Sequence, residues 1–393
     1  DWLEVCAIGE PLPAPGLLAL PVTSVDDYEA FEGMRVTFPQ DLVISEYFNF
    51  DRYGTIVLTS QRYLQFTALF EPDAAGYAAS MDEYALNSIT LDDGSTWQNP
   101  DPAMHPNGLE FNLYNLFRGG DLLTNVTGIM DYGRSYYGFP DIYRIQPTEG
   151  ADYTSTNPRT PAPDIIEGDI KVASLNVYNY FTTIDNDPFE NDNQPYDLCG
   201  PFGGLDCRGA DDVAELERQR AKIISALLKI DADIVGLMEI ENDRSGEPPD
   251  YAVANLVAGL NAVPGGDTYD YIATGAIGED AIKVAMIYKP DNVTPVGSYA
   301  ILDDSVDPLF LDDYNRPVLA QSFMDNIVGD EITVAVNHLK SKGSPCDDLG
   351  DPDMDDGQGN CNLTRTSAAL TEVKWLATDP TGSGSDHVLI IGD

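Results

Sequence analysis

Polar residues stand where the apolar runs of this chain end. Asn176 follows VASL, Glu239 follows IVGLM, Asn337 and His338 follow ITVAV, and Asp393 follows VLIIG. Together these side chains supply oxygen ligands for a hard divalent cation and a nitrogen base for proton transfer. A lone carboxylate at a strand end is ordinarily a solvated loop residue, and a lone histidine a satisfied structural one. Four such endings in one stretch of sequence are more than that background supplies. Lys340 and Lys342, in NHLKSK, are one residue apart, so both can face one side of an extended segment. In a chain this poor in lysine they read as phosphate contacts rather than as a solvated edge.

The elements that must position these residues are legible from 169 onward. DIKVASLNVYNY reads as a strand and GADDVAELERQRAKIISALLKID as an amphipathic helix. Val213, Leu216, Ile223, Ile224, Leu227 and Leu228 form that helix's stripe, and Asp211 or Asp212 stands near its start. ADIVGLMEIEND reads as a second buried strand and YAVANLVAGLNAV as a second helix. Strands in YDYIATGA, IKVAMIYKP, RPVLAQSFM and ITVAVNHLK follow, then a helix in NLTRTSAALTEVKWLAT. VLIIGD closes the chain as a buried strand. The pattern is that of an α/β sandwich with mixed sheets.

The first part of the chain follows another grammar. Residues 1–28 are Pro-rich and read as a linker or the remnant of an upstream domain. Residues 29–150 read as short strands without a helix, among them GTIVLTS, RYLQFTALF, GDLLTNVTGIMDYG and DIYRIQPT, with a loop over 71–117. That suggests a small OB-like β domain. Residues 151–168, rich in Pro, Thr and Asp, form a linker, so the second domain is expected over 169–393.

Composition narrows the function. The 66 acidic and 21 basic residues give a net charge of −45, which repels polyanions and acidic membrane surfaces over long range. The basic residues are uneven, with seven in 1–170 and fourteen in 171–393. The acidic surplus suits a saline or calcium-containing habitat, where screening over less than about 10 Å mutes repulsion. No apolar run is long enough to span a bilayer, so no membrane association is expected. Cys199 with Cys207, and Cys346 with Cys361, bracket polar Gly-rich loops and read as disulfide staples of a secreted, extracellular protein. Cys6 is left without a partner. The chain starts as mid-protein sequence does, and stops at Asp393, so it reads as trimmed at both ends.

IKVASLNVYNYF, DADIVGLMEIEND, AIKVAMIYKP, NRPVLAQSF, VNHLKSKG and VLIIGD occur in an order that resembles the endonuclease/exonuclease/phosphatase superfamily, with its DNase I-like α/β sandwich. The Cys loops and CGPFGGLDCRGADD resemble more specifically the secreted bacterial nucleases of the ExeM/NucH type, which carry an OB-like domain ahead of the catalytic one. The resemblance spans about residues 29–393 and rests on the ordered set of short motifs. It implies Glu239 as principal ligand of Mg²⁺ (or Mn²⁺), with Asn176 completing the metal and phosphate site. His338, beside Asn337, becomes the general acid/base. Asp280 becomes the acceptor that orients its imidazole, and Arg316 in NRP a phosphate contact. Asp393 becomes the acid of the GD strand end that orients the attacking water together with a following Asn. The function implied is metal-dependent hydrolysis of phosphodiester bonds in extracellular DNA, or RNA. On the same fold, a phosphomonoesterase or phospholipid phosphodiesterase is the alternative; a non-catalytic extracellular binding module is a second.

The family's later Asp-His pair has no counterpart here. SDH at 385–387 has the right letters, yet His387 precedes the last strand, at the end opposite Asp393. The chain as it stands is therefore expected to be inactive. Glu241 either supports the metal or lies at the rim, and His105 reads as structural or exposed. DDLGDPDMDDGQGN is oxygen-rich enough for Ca²⁺ but lacks the EF-hand pattern, so an acidic solvated loop is its default reading.

Overall fold

The computed structural model describes residues 11–95, 97–134, 140–184, 198–243, 248–263, 265 and 268–393. The chain divides into two compact units. The first is Asp1–Thr160 with Met354–Gln358, and the second Pro161–Asp353 with Gly359–Asp393.

The first unit is one sheet of nine strand segments: β1 (Gly16–Leu17), β2 (Arg35–Thr37), β3 (Leu42–Glu46), β4 (Ile56–Thr59), β5 (Ser88–Leu91), β6 (Leu122–Thr124), β7 (Thr127–Arg134), β8 (Asp141–Pro147) and β9 (Asp152–Thr154). Their order is β1-β2-β7-β8-β5-β4-β3-β6-β9. Val36, Leu42, Ile44, Leu58, Leu123, Met130 and Ile145, all fully buried, form its core. His105 is packed in this unit edge-on against Tyr153 and Phe117, with Nδ1 accepting from the Asn107 N–H, a structural role.

Two departures from the sequence reading have local causes. A short helix α1 (Phe50–Tyr53) and a 13-residue helix α2 (Ala74–Leu86) stand in the unit, the latter within the expected loop. Helix α2 buries none of its residues, so it carries no apolar stripe to announce it. Its Ala-rich sequence and the Asp73 cap on the Gly76 N–H form it instead. RYLQFTALF forms a 3₁₀ turn at Phe66–Ala68, not a strand. Leu64, Leu69 and Phe70 are exposed there, so the alternation has no face to bury.

The second unit has four layers. One sheet has the order β10-β11-β13-β12, from β10 (Val172–Tyr180), β11 (Ile234–Glu241), β12 (Asp270–Tyr271) and β13 (Ile282–Tyr288). The other has the order β14-β15-β16-β17, from β14 (Val293–Leu302), β15 (Arg316–Asp325), β16 (Glu331–His338) and β17 (Val388–Gly392). Ile234, Met238, Val284, Met286, Leu319, Phe323, Val334 and Val336 fill the space between the sheets. Helices α3 (Val213–Ile230) and α4 (Tyr251–Asn261) cover the outer face of the first sheet, and α5 (Asn362–Leu376) that of the second. This is a DNase I-like α/β sandwich. Helix α3 starts where Asp212 accepts from the Glu215 N–H and stops at Asp231, which adopts φ 53°.

At Gly236 the sheets come close. A Cβ there would lie 2.7 Å from both Val336 Cγ2 and Ile391 Cδ1, so no larger residue fits between β11 and the β16–β17 pair. Strand β14 was not legible in the sequence because Pro295 and Gly297 interrupt it. Both are tolerated on an edge strand whose register shifts between Val296 and Ala300. Strand β17 runs parallel to β16 but is also an edge. Val388, Leu389 and Ile390 are exposed, where the sequence suggested a buried strand. Both staples are formed, Cys199–Cys207 and Cys346–Cys361.

Candidate active site

The parallel pairs β10/β11 and β16/β17 direct their carboxyl ends to one place. There Asn176 Nδ2 donates to Glu239 Oε1 at 2.9 Å and to Asp393 Oδ2 at 3.0 Å. One amide thus ties together carboxylates from the two sheets. Asn176 is itself oriented by the Tyr178 N–H, which donates to its Oδ1. Glu239 Oε2 accepts the Asn179 N–H at 3.0 Å, and its Oε1 lies 3.9 Å from His338 Nε2.

The backbone is bent to achieve this. Register shifts on both sides of Glu239, between Asn176 and Tyr180 on β10 and between Leu237 and Ile240 along β13. Glu239 (φ 63°), Tyr178 (57°) and Asn179 (52°) all occupy the left-handed region. Non-glycine residues held there cost about 1–3 kcal/mol each and cluster where a bulge re-aims a side chain. The bulge separates the fates of Glu239 and Glu241. Glu241 is buried and accepts from the Thr182 N–H, the Thr182 hydroxyl and the Thr183 N–H, so it ties down the segment after β10. It does not face Asn176.

His338 is buried and sits directly across from Arg316 in the β15/β16 register. Burial pushes its pKa below the usual value, and the Arg316 cation pushes it further down, against the opposing pull of Glu239 and Asp393. Both causes favour the neutral imidazole, the form able to accept a proton. Its Nδ1 is buried without a partner. Asp280 does not accept from it: that carboxylate is taken by Arg316, through Nε at 2.8 Å and Nη2 at 2.7 Å, and by Arg208 Nη2 at 3.0 Å. The expected Asp280–imidazole bond is replaced because guanidinium groups flank the carboxylate on both sides and form the stronger, charge-assisted bonds.

Asn337 is also corrected. Neighbouring strand residues point to opposite faces, so with His338 turned to the carboxylates Asn337 turns towards α5. There its Nδ2 donates to Glu372 Oε2 at 3.3 Å. Glu372 is buried among helix and sheet, and burial pushes its carboxyl up to about 7.

A groove of about 630 Å³ runs past these groups, lined by Glu239, His338, Asp393, Lys340, Lys342 and Arg365 among others. Lys340, Lys342 and, from α5, Arg365 are all among its lining residues. Asn315, fully buried, accepts the Lys340 N–H with its side chain and so holds the backbone there. Asn179, Arg208, Asn315, Arg365 and Glu372 were not legible as site neighbours. Asn179 acts through its backbone, and the others become neighbours only through tertiary packing.

Glu239 and Asp393, held together by the Asn176 amide N–H groups, offer carboxylate oxygens suited to a hard divalent cation, which takes one or two carboxylates and completes its shell with water and phosphate. Two carboxylates sharing a single neutral donor leave an excess of negative charge that such an ion would neutralise. Among the described residues no group of three or more His, Cys, Asp or Glu stands at metal-holding distances. In the acidic 346–361 loop, Asp351 caps α5 by accepting from the Leu363 and Thr364 N–H groups.

Strand order and helix placement define the second unit as a two-sheet α/β sandwich of the DNase I-like class. No protein-family model and no curated protein matches the sequence. Solved structures similar to the chain include proteins described as endonuclease/exonuclease/phosphatase proteins. One is the endonuclease/exonuclease/phosphatase from Bacteroides vulgatus, at 13% identity and a TM-score of 0.33, covering 57% of this chain and 65% of that one. ANGEL2, a 2′,3′-cyclic phosphatase, shows 17% identity and a TM-score of 0.33, covering 57% and 52%. Humanized D. rerio TDP2 shows 13% identity and a TM-score of 0.29, covering 46% and 60%. The chain thus spans less than two thirds of each of these proteins. Likeness this remote carries no argument about substrate, which rests on the site alone.

Proposed function

We propose that the second unit is the catalytic part of a divalent-metal-dependent phosphodiesterase that cleaves nucleic acid, DNA in the first place and RNA as a further substrate. The observation that carries this reading is the junction of Asn176, Glu239 and Asp393 with His338 Nε2 3.9 Å from Glu239. Phosphodiesters resist water because their oxygens are anionic and the leaving alkoxide is poor. Glu239 and Asp393, beside Asn176, would hold Mg²⁺ or Mn²⁺, which would supply the positive charge that offsets both. His338, kept neutral by burial and by Arg316, moves the proton at Nε2. Lys340, Lys342 and Arg365 supply the cations that a phosphate entering the groove would meet, and Arg316 stands beside His338.

A polymeric substrate is favoured over a phosphomonoester because Lys340, Lys342 and Arg365 line the groove in addition to the groups at the reacting centre. The two disulfides support an oxidising, extracellular setting, and no described helix is long and apolar enough to cross a membrane. In this proposal residues 29–150 serve as an OB-like accessory nucleic-acid-binding domain.

The test is incubation of supercoiled plasmid with Mg²⁺ and a protein containing residues 1–393, beside its His338→Ala variant. Cleavage that depends on both cation and His338 supports the reading. An intact plasmid combined with turnover of a small phosphoester would shift the assignment to a phosphomonoesterase or phospholipid phosphodiesterase.

A further inference from the structure

We infer that Arg208 is a substrate-contacting residue that reads a second phosphate of a polyanionic chain, outside the one that reaches His338. The inference deepens the phosphodiesterase reading and rests on it for the polymeric substrate. It starts from a line of side chains leading outward: His338 is 10% exposed, Arg316 18%, Asp280 29% and Arg208 41%. Arg316 and Arg208 grip opposite oxygens of the same carboxylate, Oδ2 and Oδ1. Two cations on one anion leave a net charge of +1 at this point of a chain whose total is −45.

The guanidinium geometry leaves donors over. Arg316 spends Nε and Nη2 on Asp280, while Arg208 spends only Nη2. Each group has five N–H donors in a fixed fork, and no other described contact engages either. Asp280 thus acts as a spacer that fixes two forks side by side. Arg208 is pinned from its other side as well. It directly follows Cys207, whose disulfide with Cys199 is buried against Phe181, Ala281 and Ile282. A long side chain already anchored at both ends has little entropy left to lose on meeting an anion, and that entropy cost is the usual reason exposed ion pairs contribute little.

A small phosphoester seated at His338 and Arg316 would not extend to Arg208, whereas a nucleic-acid strand, carrying a phosphate per nucleotide, would. Arg208 therefore separates polymeric from small substrates.

The test measures binding without catalysis. A fluorescent single-stranded 12-mer in EDTA is titrated with this chain, with Arg208→Met and with Arg208→Lys, across a range of salt. Inorganic phosphate is titrated in parallel, and circular dichroism checks that each variant is folded. The expected result is oligonucleotide affinity about tenfold lower in R208M and partly recovered in R208K. The slope of log K against log salt falls by about 0.7, the share of one contact to a single strand. Phosphate affinity stays within about twofold. Equal oligonucleotide affinity in wild type and R208M overturns the inference, as does absence of oligonucleotide binding by the wild type. An equal loss for both ligands also overturns it, because Arg208 would then only hold Arg316 in place. Arg208-dependent binding without any phosphoester turnover by a protein containing residues 1–393 would leave this inference standing and sink the catalytic reading.

Discussion

Asn176 and Glu239 stand on adjacent parallel strands and are joined by a 2.9 Å hydrogen bond, although a register shift breaks the ladder between those strands at that point. The bulge aims Glu239 at the amide, and the same amide then reaches Asp393 on the other sheet. Removing it should leave two carboxylates facing each other with no donor between them. Asn176→Ala is expected to weaken Mg²⁺ or Mn²⁺ binding about 10–100-fold, the usual cost of losing a group that orients ligands. Calorimetric titration checks this, and unchanged affinity would remove Asn176 from the cation site.

Arg316 faces His338 across β15 and β16 and lowers its pKa, after burial, the larger cause. Taking the cation away should move that pKa up. In the metal-free protein, NMR titration of the His338 ring is expected to show a midpoint below the ordinary value near 6.5. In Arg316→Met the midpoint should be higher. A midpoint at or above the ordinary value in the unmodified chain would contradict the buried, neutral imidazole.

Glu372 gives a stability signature of the opposite sign to most carboxylates. Its folded pKa, about 7, is above the 4.5 of the free side chain, so the native state holds a proton that the unfolded state has released. Its contribution is present near pH 4.5 and is lost as pH rises through about 7. Glu372→Gln keeps the acceptor for Asn337 without the charge. The melting temperature of the variant relative to the wild type is therefore expected to rise between pH 5 and pH 8. A difference independent of pH would place the Glu372 proton elsewhere.

The Cys346–Cys361 bridge closes a loop of sequence separation 15 just before α5. Replacing both cysteines by serine should cost about 3 kcal/mol of unfolding free energy, by loop-closure entropy. Urea denaturation followed by fluorescence measures it. A loss well under about 1 kcal/mol would mean that the loop is held by its other contacts, such as those of Asp351.

How much of this the sequence showed depends on the kind of signal. The strand ends at Asn176, Glu239, His338 and Asp393 were legible because continuous apolar runs lead to each; such runs mark the buried central strands β11 and β16, while β10 and β17 carry them at sheet edges. Helix α3 was legible from its stripe. Helix α2 was not, since it buries nothing and so has no period. The pairing of Asn337 with His338 as joint site residues conflicts with strand alternation itself, and the structure sends Asn337 to Glu372. The separation of Glu239 from Glu241 is different in kind. Alternation puts them on one face, and only the bulge with Glu239 at φ 63° parts them. The Arg208–Asp280–Arg316 chain joins residues 72 and 36 positions apart, a tertiary coincidence with no local trace.

The most direct test of the account is plasmid cleavage by a protein containing residues 1–393, with Mg²⁺ and with EDTA, in wild type and His338→Ala. Cation-dependent cleavage is expected, slowed about 10²–10⁴-fold by loss of the base. Cleavage that proceeds equally fast without His338, or equally fast in EDTA, would contradict it.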